Sequence, residues 1–268
     1  MENNTKKENK DTVFTGYSLI DDTFGGLKPG EVTIIGGRPA MGKTTLALNI
    51  ALHTASKENK KVLFISDENS LDVMEQKLTS LISGIPRQKL RTFSLSDAEW
   101  DSCRNTIQYR QNLPIYFCPY QIVQTVSQIR EVCKYFAKAE KLDLVIIDYL
   151  QLVTEDTGKE NNTEEKLRII QKIARKFNVP VVVLTQLSRT LEERKDKRPK
   201  RKDLTRTGIT KDCFDQAFLL YRDRYYYSDA PENDAELIGI GHDTKCTGKL
   251  FWDPEIGAFQ NMLVLGIH

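Results

Sequence analysis

Short apolar runs alternate along the chain with longer stretches in which apolar residues recur every three or four positions. Val32–Ile35, Lys61–Ser66, Pro114–Cys118, Leu144–Ile147 and Val179–Leu184 are the runs. Their length and β-branched content predict strands, most of them apolar on both faces and therefore buried. Between them Thr45–Leu52, Leu71–Ser83, Val123–Ala139 and Glu164–Phe177 have helical spacing. Leu71, Met74, Leu78, Leu81 and Ile82 line one predicted helix, and Val126, Ile129, Val132, Cys133 and Phe136 another. Ser96-Asp-Ala-Glu99 has the spacing of a capping box that opens a further helix. Strand and helix in alternation imply an α/β fold, a mainly parallel twisted sheet with helices on both faces. Leu237–Ile240, Gly248–Trp252 and Met262–Leu265 read instead as antiparallel additions separated by turns.

Residues 1–12 are polar and of mixed charge, which predicts a disordered tail ahead of one domain over residues 13–268. The 268 residues suit one large domain. A net charge of +2 announces no polyanion, so any basic patch must be local. The apolar runs are too short to cross a bilayer, and the first ten residues lack the apolar centre of a signal peptide. Five scattered cysteines without a C-x-x-C pair favour reduced thiols over disulfides or zinc. The expected compartment is the cytoplasm, with no membrane partner.

The most informative chemistry is Gly37-Arg-Pro-Ala-Met-Gly-Lys-Thr44, a G-x-x-x-x-G-K-[ST] loop between a predicted strand and a predicted helix. A phosphate needs backbone N–H groups turned inward at a positive helix N-terminus, and glycines let the chain come that close. Gly37, Arg38, Pro39, Ala40, Met41, Gly42, Lys43, Thr44 and Thr45 are therefore the candidate nucleotide-binding residues. Lys43 is placed for the β- and γ-phosphates of ATP and the Thr44 hydroxyl for Mg²⁺. Leu144-Val-Ile-Ile-Asp148 ends a buried strand in a carboxylate, the expected second group on the metal. Lys61–Ser66 delivers Asp67 and Glu68 to the same edge. Either could polarise the attacking water, or serve as a helix N-terminal carboxylate. Gln186 follows the strand Val179–Leu184, where a polar side chain could sense the γ-phosphate or simply cap the strand.

Residues 189–206 carry nine Lys/Arg against four acids: Arg189, Arg194, Lys195, Lys197, Arg198, Lys200, Arg201, Lys202 and Arg206. A +5 segment behind a nucleotide sensor suits a polyanion such as single-stranded DNA, gripped by its phosphates and not read by base, since aromatics are absent. A solvated charged loop is the plainer alternative. Arg222-Asp-Arg-Tyr-Tyr-Tyr227 sets aromatics beside charge, for stacking or for packing.

In order along residues 12–260 the chain resembles the C-terminal motor domain of the DnaB-type hexameric replicative helicases, within the RecA-like P-loop ATPases. The resemblance rests on Thr15–Asp21 with Gly25–Gly30, the phosphate loop, Ser66-Asp-Glu68 and Lys89–Thr92. Asp148-Tyr-Leu-Gln-Leu152, Thr185-Gln-Leu-Ser-Arg189, Asp196–Pro199 and Tyr221-Arg-Asp223 complete it. It implies Lys43 and Thr44 on ATP and Mg²⁺, Glu68 as the base, Asp148 on the metal and Gln186 as γ-phosphate sensor. It also implies DNA contacts from Asp203–Gly208, and a ring, usually a hexamer, on single-stranded DNA.

The sequence departs from that family in three ways. The family carries an N-terminal helical domain and linker helix, whereas here a polar stretch leads straight into the motor. The basic group expected at Thr205 sits one place later, at Arg206, and Ile209–Asp215 keeps only its last Asp in register. The family's Lys-x-Arg finger falls in Ile238–Gly248, which holds Lys245 and no Arg. The expectation is an ATP-dependent helicase or translocase motor that associates weakly alone. The alternatives are a non-unwinding relative that regulates or assists a full-length helicase, and a RecA- or KaiC-like ATPase with another substrate.

Overall fold

A computed structural model describes residues 11–66, 70–119, 122–139, 141–150 and 162–262. The elements that matter below are β1 (Val32–Gly37), α1 (Lys43–Lys57), β2 (Val62–Ser66), α2 (Leu71–Ser83), α3 (Arg87–Thr92) and α4 (Asp97–Gln111). They continue as β3 (Ile115–Pro119), α5 (Val126–Ala139), β4 (Leu144–Asp148), α6 (Thr163–Phe177), β5 (Val181–Gln186) and α7 (Arg201–Thr205). The chain then turns to β6 (Gln216–Tyr221), β7 (Asp234–Ile240), β8 (Lys245–Asp253) and β9 (Ala258–Asn261). They form a nine-stranded sheet ordered β3-β2-β4-β5-β1-β6-β7-β8-β9. It is parallel from β3 to β6 and antiparallel from there to β9.

The alternation along each buried strand decides which helix covers which face. Val145 and Ile147 of β4 join Val183, Leu219, and the α5 and α6 residues Ile129, Cys133, Leu167 and Ile170 in one core. Leu144 and Ile146, one step out of phase, join Phe64, Leu184, Phe218 and the α1 residues Leu46, Leu48 and Ile50 in the other. That period of two, apolar on both faces, is what a parallel sheet with helices above and below requires.

Local signals set the helix ends. Ser96 caps α4 as its spacing predicts, with Ser96 Oγ accepting from Glu99 N (3.3 Å) and Glu99 accepting from Ser96 N (2.8 Å). Asn162 caps α6 by accepting from Glu164 N and Glu165 N. The helix predicted from Val123 begins at Val126, with the Gln128 amide oxygen accepting from Gln124 N and Thr125 N. The third tail strand is Ala258–Asn261, earlier than the expected Met262–Leu265, of which residues 263–265 lie outside the described residues. Of the stretch expected as a tail, residues 1–10 also lie outside them. Thr12 is buried, and its carbonyl accepts from Lys60 Nζ (2.5 Å).

Asp21 shows what the Thr15–Asp21 motif does. Its carboxylate accepts from Thr15 N (2.8 Å), Thr15 Oγ1 (2.9 Å) and Gly16 N (2.8 Å), which closes a turn against α1. All five cysteines are free thiols, four of them buried. Among the described residues no helix is long and apolar enough to cross a membrane.

Candidate nucleotide site

The register of the parallel strands brings the predicted groups to one edge. Gly37 of β1 pairs with Gln186 of β5, and Ser66 of β2 pairs with Asp148 of β4. Ligands of open α/β sheets bind beyond the carboxyl ends of such strands. Gly42 there takes a left-handed backbone (φ +102°) and begins α1. A Cβ at Gly42 would sit 2.8 Å from the Phe259 ring, so the residue must be glycine on both counts. Lys43 Nζ donates to Arg38 O (3.2 Å), which folds the ammonium over the loop.

The Thr44 hydroxyl donates to Asp148 Oδ2 at 2.8 Å. Residues 104 positions apart thus meet at the N-terminus of α1, and Asp148 is 1% exposed. A hydroxyl and a carboxylate are the oxygen donors that Mg²⁺ takes alongside substrate phosphates, so the pair fits that ion. A cavity of about 260 Å³ opens beside them. Lys43, Thr44, Tyr149 and Gln186 line one part of it. Arg222 and Trp252 line another, with Lys77 and Arg87 at its rim. Burial holds the Arg222 and Arg87 guanidinium groups below their ordinary range, and both stay cationic at neutral pH.

Within the loop the side chains divide. Pro39, Ala40, Gly42, Lys43, Thr44 and Thr45 face the cavity. Met41 is buried in the core beneath α1. Arg38, 5% exposed, turns away from the cavity. Its Nε pairs with Glu192 Oε1 (2.7 Å) and its other nitrogen donates to Leu187 O (2.7 Å). It therefore ties the loop to the chain that follows β5. Glu68 and Asp67 lie outside the described residues, two and one positions beyond the end of β2. Tyr149, Lys77, Arg87, Arg222 and Trp252 carry no local sequence signal for this site, because only the fold brings them to it.

The basic segment has two populations. Arg194 makes a bidentate pair with Asp203 (2.9 and 2.9 Å), and Asp203, 0% exposed, also accepts from Lys200 N (2.8 Å) at the start of α7. Arg198 reaches Glu236 twice (2.8 and 2.8 Å) and Asp223 (3.1 Å), and lies 5.0 Å over the Tyr221 ring. Lys197 sits over Tyr226 and Tyr227, Lys200 pairs with Asp196, and Arg201 donates to Gly241 O. Lys195, Lys202 and Arg206 are exposed and form no ion pair among the described residues. Gly208 is exposed, with φ +82°. Lys245 begins β8 opposite Ile240, at the end of the sheet away from its own phosphate loop.

Comparison with known proteins agrees with this arrangement. The model of the DnaB-like helicase C-terminal domain matches residues 12–261. The replicative DNA helicase DnaB of Geobacillus stearothermophilus is 34% identical over 229 residues, covering 84% of this chain and 50% of that protein. The chain thus spans about half the length of the curated relatives it matches. Among solved structures, an ATPase domain determined on its own superposes with a TM-score of 0.86 at 28% identity, covering 96% of this chain and 93% of that one. A DnaB-like replicative helicase, solved in a study of its interactions with primase, gives 0.87 at 28% identity, covering 93% of this chain and 62% of that one. The fold is that of the RecA-like ATPases, and the chain belongs to the DnaB-like helicase C-terminal domain family.

Proposed function

We propose that this chain is the ATP-hydrolysing motor of a replicative DNA helicase, taking ATP with Mg²⁺ at Gly37–Thr45 and single-stranded DNA at its basic segment. The observation that carries this is the 2.8 Å contact between Thr44 and Asp148 at the mouth of a cavity lined by Lys43 and Gln186. Backbone N–H groups at the start of α1 and the Lys43 ammonium hold the phosphates. Thr44 and Asp148 hold the metal, which neutralises charge on the transferring phosphoryl group. Glu68 orients and deprotonates water, and Gln186 touches the γ-phosphate, so that its loss is felt by the chain after β5. Arg38 braces that same chain through Glu192 and Leu187. Lys195, Lys202 and Arg206 meet DNA phosphates, and the motor works in the cytoplasm.

Titration with a fluorescent ATP analogue tests the foundation. Lys43→Ala should abolish binding, and unchanged affinity would overturn the reading. Strand displacement on a forked duplex then separates a motor from a non-unwinding relative that regulates or assists a full-length helicase. The Ile238–Gly248 segment favours keeping that second reading in view, since it offers Lys245 and no Arg to a neighbour's phosphates. A trans arginine is worth orders of magnitude in phosphoryl transfer. Slow turnover and weak ring formation, as a hexamer only with nucleotide, DNA or a full-length partner, follow from that. Ultracentrifugation beside a steady-state ATPase assay checks it, and a stable hexamer turning over about ten or more ATP per second, typical of a good enzyme, would count against it.

A further inference from the structure

Arg222 and Trp252 enter the cavity from the side of the sheet that the catalytic groups do not use. The phosphate loop follows β1, which lies between β5 and β6. Gln186 and Asp148 end β5 and β4, on one side of β1. Arg222 follows β6 and Trp252 lies in β8, on the other side. A triphosphate whose γ end sits at Thr44, Asp148 and Gln186 runs across the loop and carries its nucleoside toward β6 and β8.

The two side chains there form a plate. The Arg222 guanidinium lies 4.7 Å from the centre of the Trp252 indole. Trp252 is backed by Phe259, with ring centres 4.5 Å apart, and Phe259 packs under Gly42. Phe259 is itself held by its main chain. Its N–H donates to Asn49 Oδ1 (2.8 Å), and its carbonyl accepts from the Tyr17 hydroxyl (3.0 Å). The plate is therefore fixed relative to the phosphate loop through packed rings and α1. One Arg222 nitrogen donates weakly to Ala40 O (3.4 Å), and its Nε has no partner among the described residues. Arg194 and Arg198 are anchored by carboxylates, and Arg222 is not. A planar cation with one face on an indole and its edge on the phosphate loop is suited to stack a heterocycle on the other face.

We infer that Arg222, laid on Trp252, is the platform on which the nucleobase of the bound triphosphate stacks. The inference rests on the ATP reading of the phosphate loop and deepens it. A stacking plate offers a π face to every base and reads no Watson–Crick edge, so the site takes nucleoside triphosphates broadly and is not restricted to adenine.

The test compares Mg²⁺–ATP, Mg²⁺–GTP and Mg²⁺–tripolyphosphate by calorimetry, on wild type, Arg222→Gln and Arg222→Lys. Wild type should bind ATP and GTP alike, about tenfold or more tighter than tripolyphosphate, the worth of one base stack. Both variants should lose that advantage, since lysine keeps the charge but not the plane, while tripolyphosphate affinity stays as in wild type. In a Trp100→Phe background the remaining Trp252 fluorescence should respond to ATP and not to tripolyphosphate. A parallel loss of tripolyphosphate binding in Arg222→Gln, restored by Arg222→Lys, would make Arg222 a phosphate ligand and overturn the inference. So would variants that bind ATP as wild type does. Failure of wild type to bind any of the three would instead sink the ATP reading.

Discussion

Two regions meet near the carboxyl edge of the sheet, and each is rich in the signals that suggest anion binding. In the phosphate loop the cation stands where carboxylates are few. Lys43 folds over the loop, Lys77, Arg87 and Arg222 surround the same cavity, and no carboxylate is among its lining residues. In the segment from Arg189 to Arg206 the cations outnumber those of the loop, yet the most buried are matched one for one. Arg194 has Asp203, and Arg198 has Glu236 and Asp223. Formal charge is the same kind of quantity in both regions, but its availability differs. A guanidinium already facing a buried carboxylate holds its own chain in place, and only the cations left in solvent remain for a phosphate backbone.

The largest expected effect lies on the loop side of that comparison. Glu68→Gln should leave ATP binding nearly intact and lower hydrolysis by about 10²–10⁴, the usual worth of a general base. Binding and steady-state turnover measured together check this. If Asp67→Asn inflicts the loss and Glu68→Gln does not, the base is the neighbouring carboxylate.

On the basic side the largest effect should be on stability. Arg194→Ala leaves Asp203 as a buried carboxylate with its charge uncompensated. The expected cost is about 3 kcal/mol, the low end for breaking a buried pair, because Arg194 itself is partly exposed. Chemical denaturation reads it, and an unchanged midpoint would return Arg194 to the DNA-facing group. Next in size, Lys195→Glu, Lys202→Glu and Arg206→Glu combined should flatten the salt dependence of single-stranded DNA binding, by about 0.7 in slope for each phosphate that is no longer neutralised. Stability should move by no more than about 0.5 kcal/mol per site, as for other exposed positions. An unaltered slope would favour a plain solvated loop.

The same contrast explains how far the chain could be read from its residues. The phosphate loop is local, eight consecutive residues between a strand and a helix, and Asp148 ends an apolar run that fixes where it must emerge. Both are legible, and so is the capping box at Ser96. β6 is harder to see. Gln216–Tyr221 is apolar enough for a buried strand, but it follows a short irregular stretch and precedes a charged aromatic run that blurs its end. α3 begins at Pro86 with no polar cap and buries only Leu90. The pairing of the basic segment is not local at all. Arg198 finds Glu236 thirty-eight positions away, and Arg222 finds Trp252 through the antiparallel extension. A count of Lys and Arg cannot separate anchored cations from free ones, because the carboxylates that decide the matter come from other strands.

Arg198 is where the two populations come closest, and it gives the smallest and sharpest test. Its partners resemble those of Arg194: two nitrogens on Glu236, one on Asp223, and a face over Tyr221. Its surroundings do not, for Arg198 is 41% exposed and Glu236 17%. Water and salt screen a pair at that depth, and neither partner is left stranded in a dry interior when the other is removed. Arg198→Gln should therefore cost only about 1 kcal/mol, with the loss shrinking as salt is added. If the anchoring ion pairs define its role, the variant should leave the DNA salt slope where it was. A slope lowered by about 0.7 with stability unchanged would move Arg198 into the DNA-facing group, and would place the boundary between anchored and free cations at Asp203 alone.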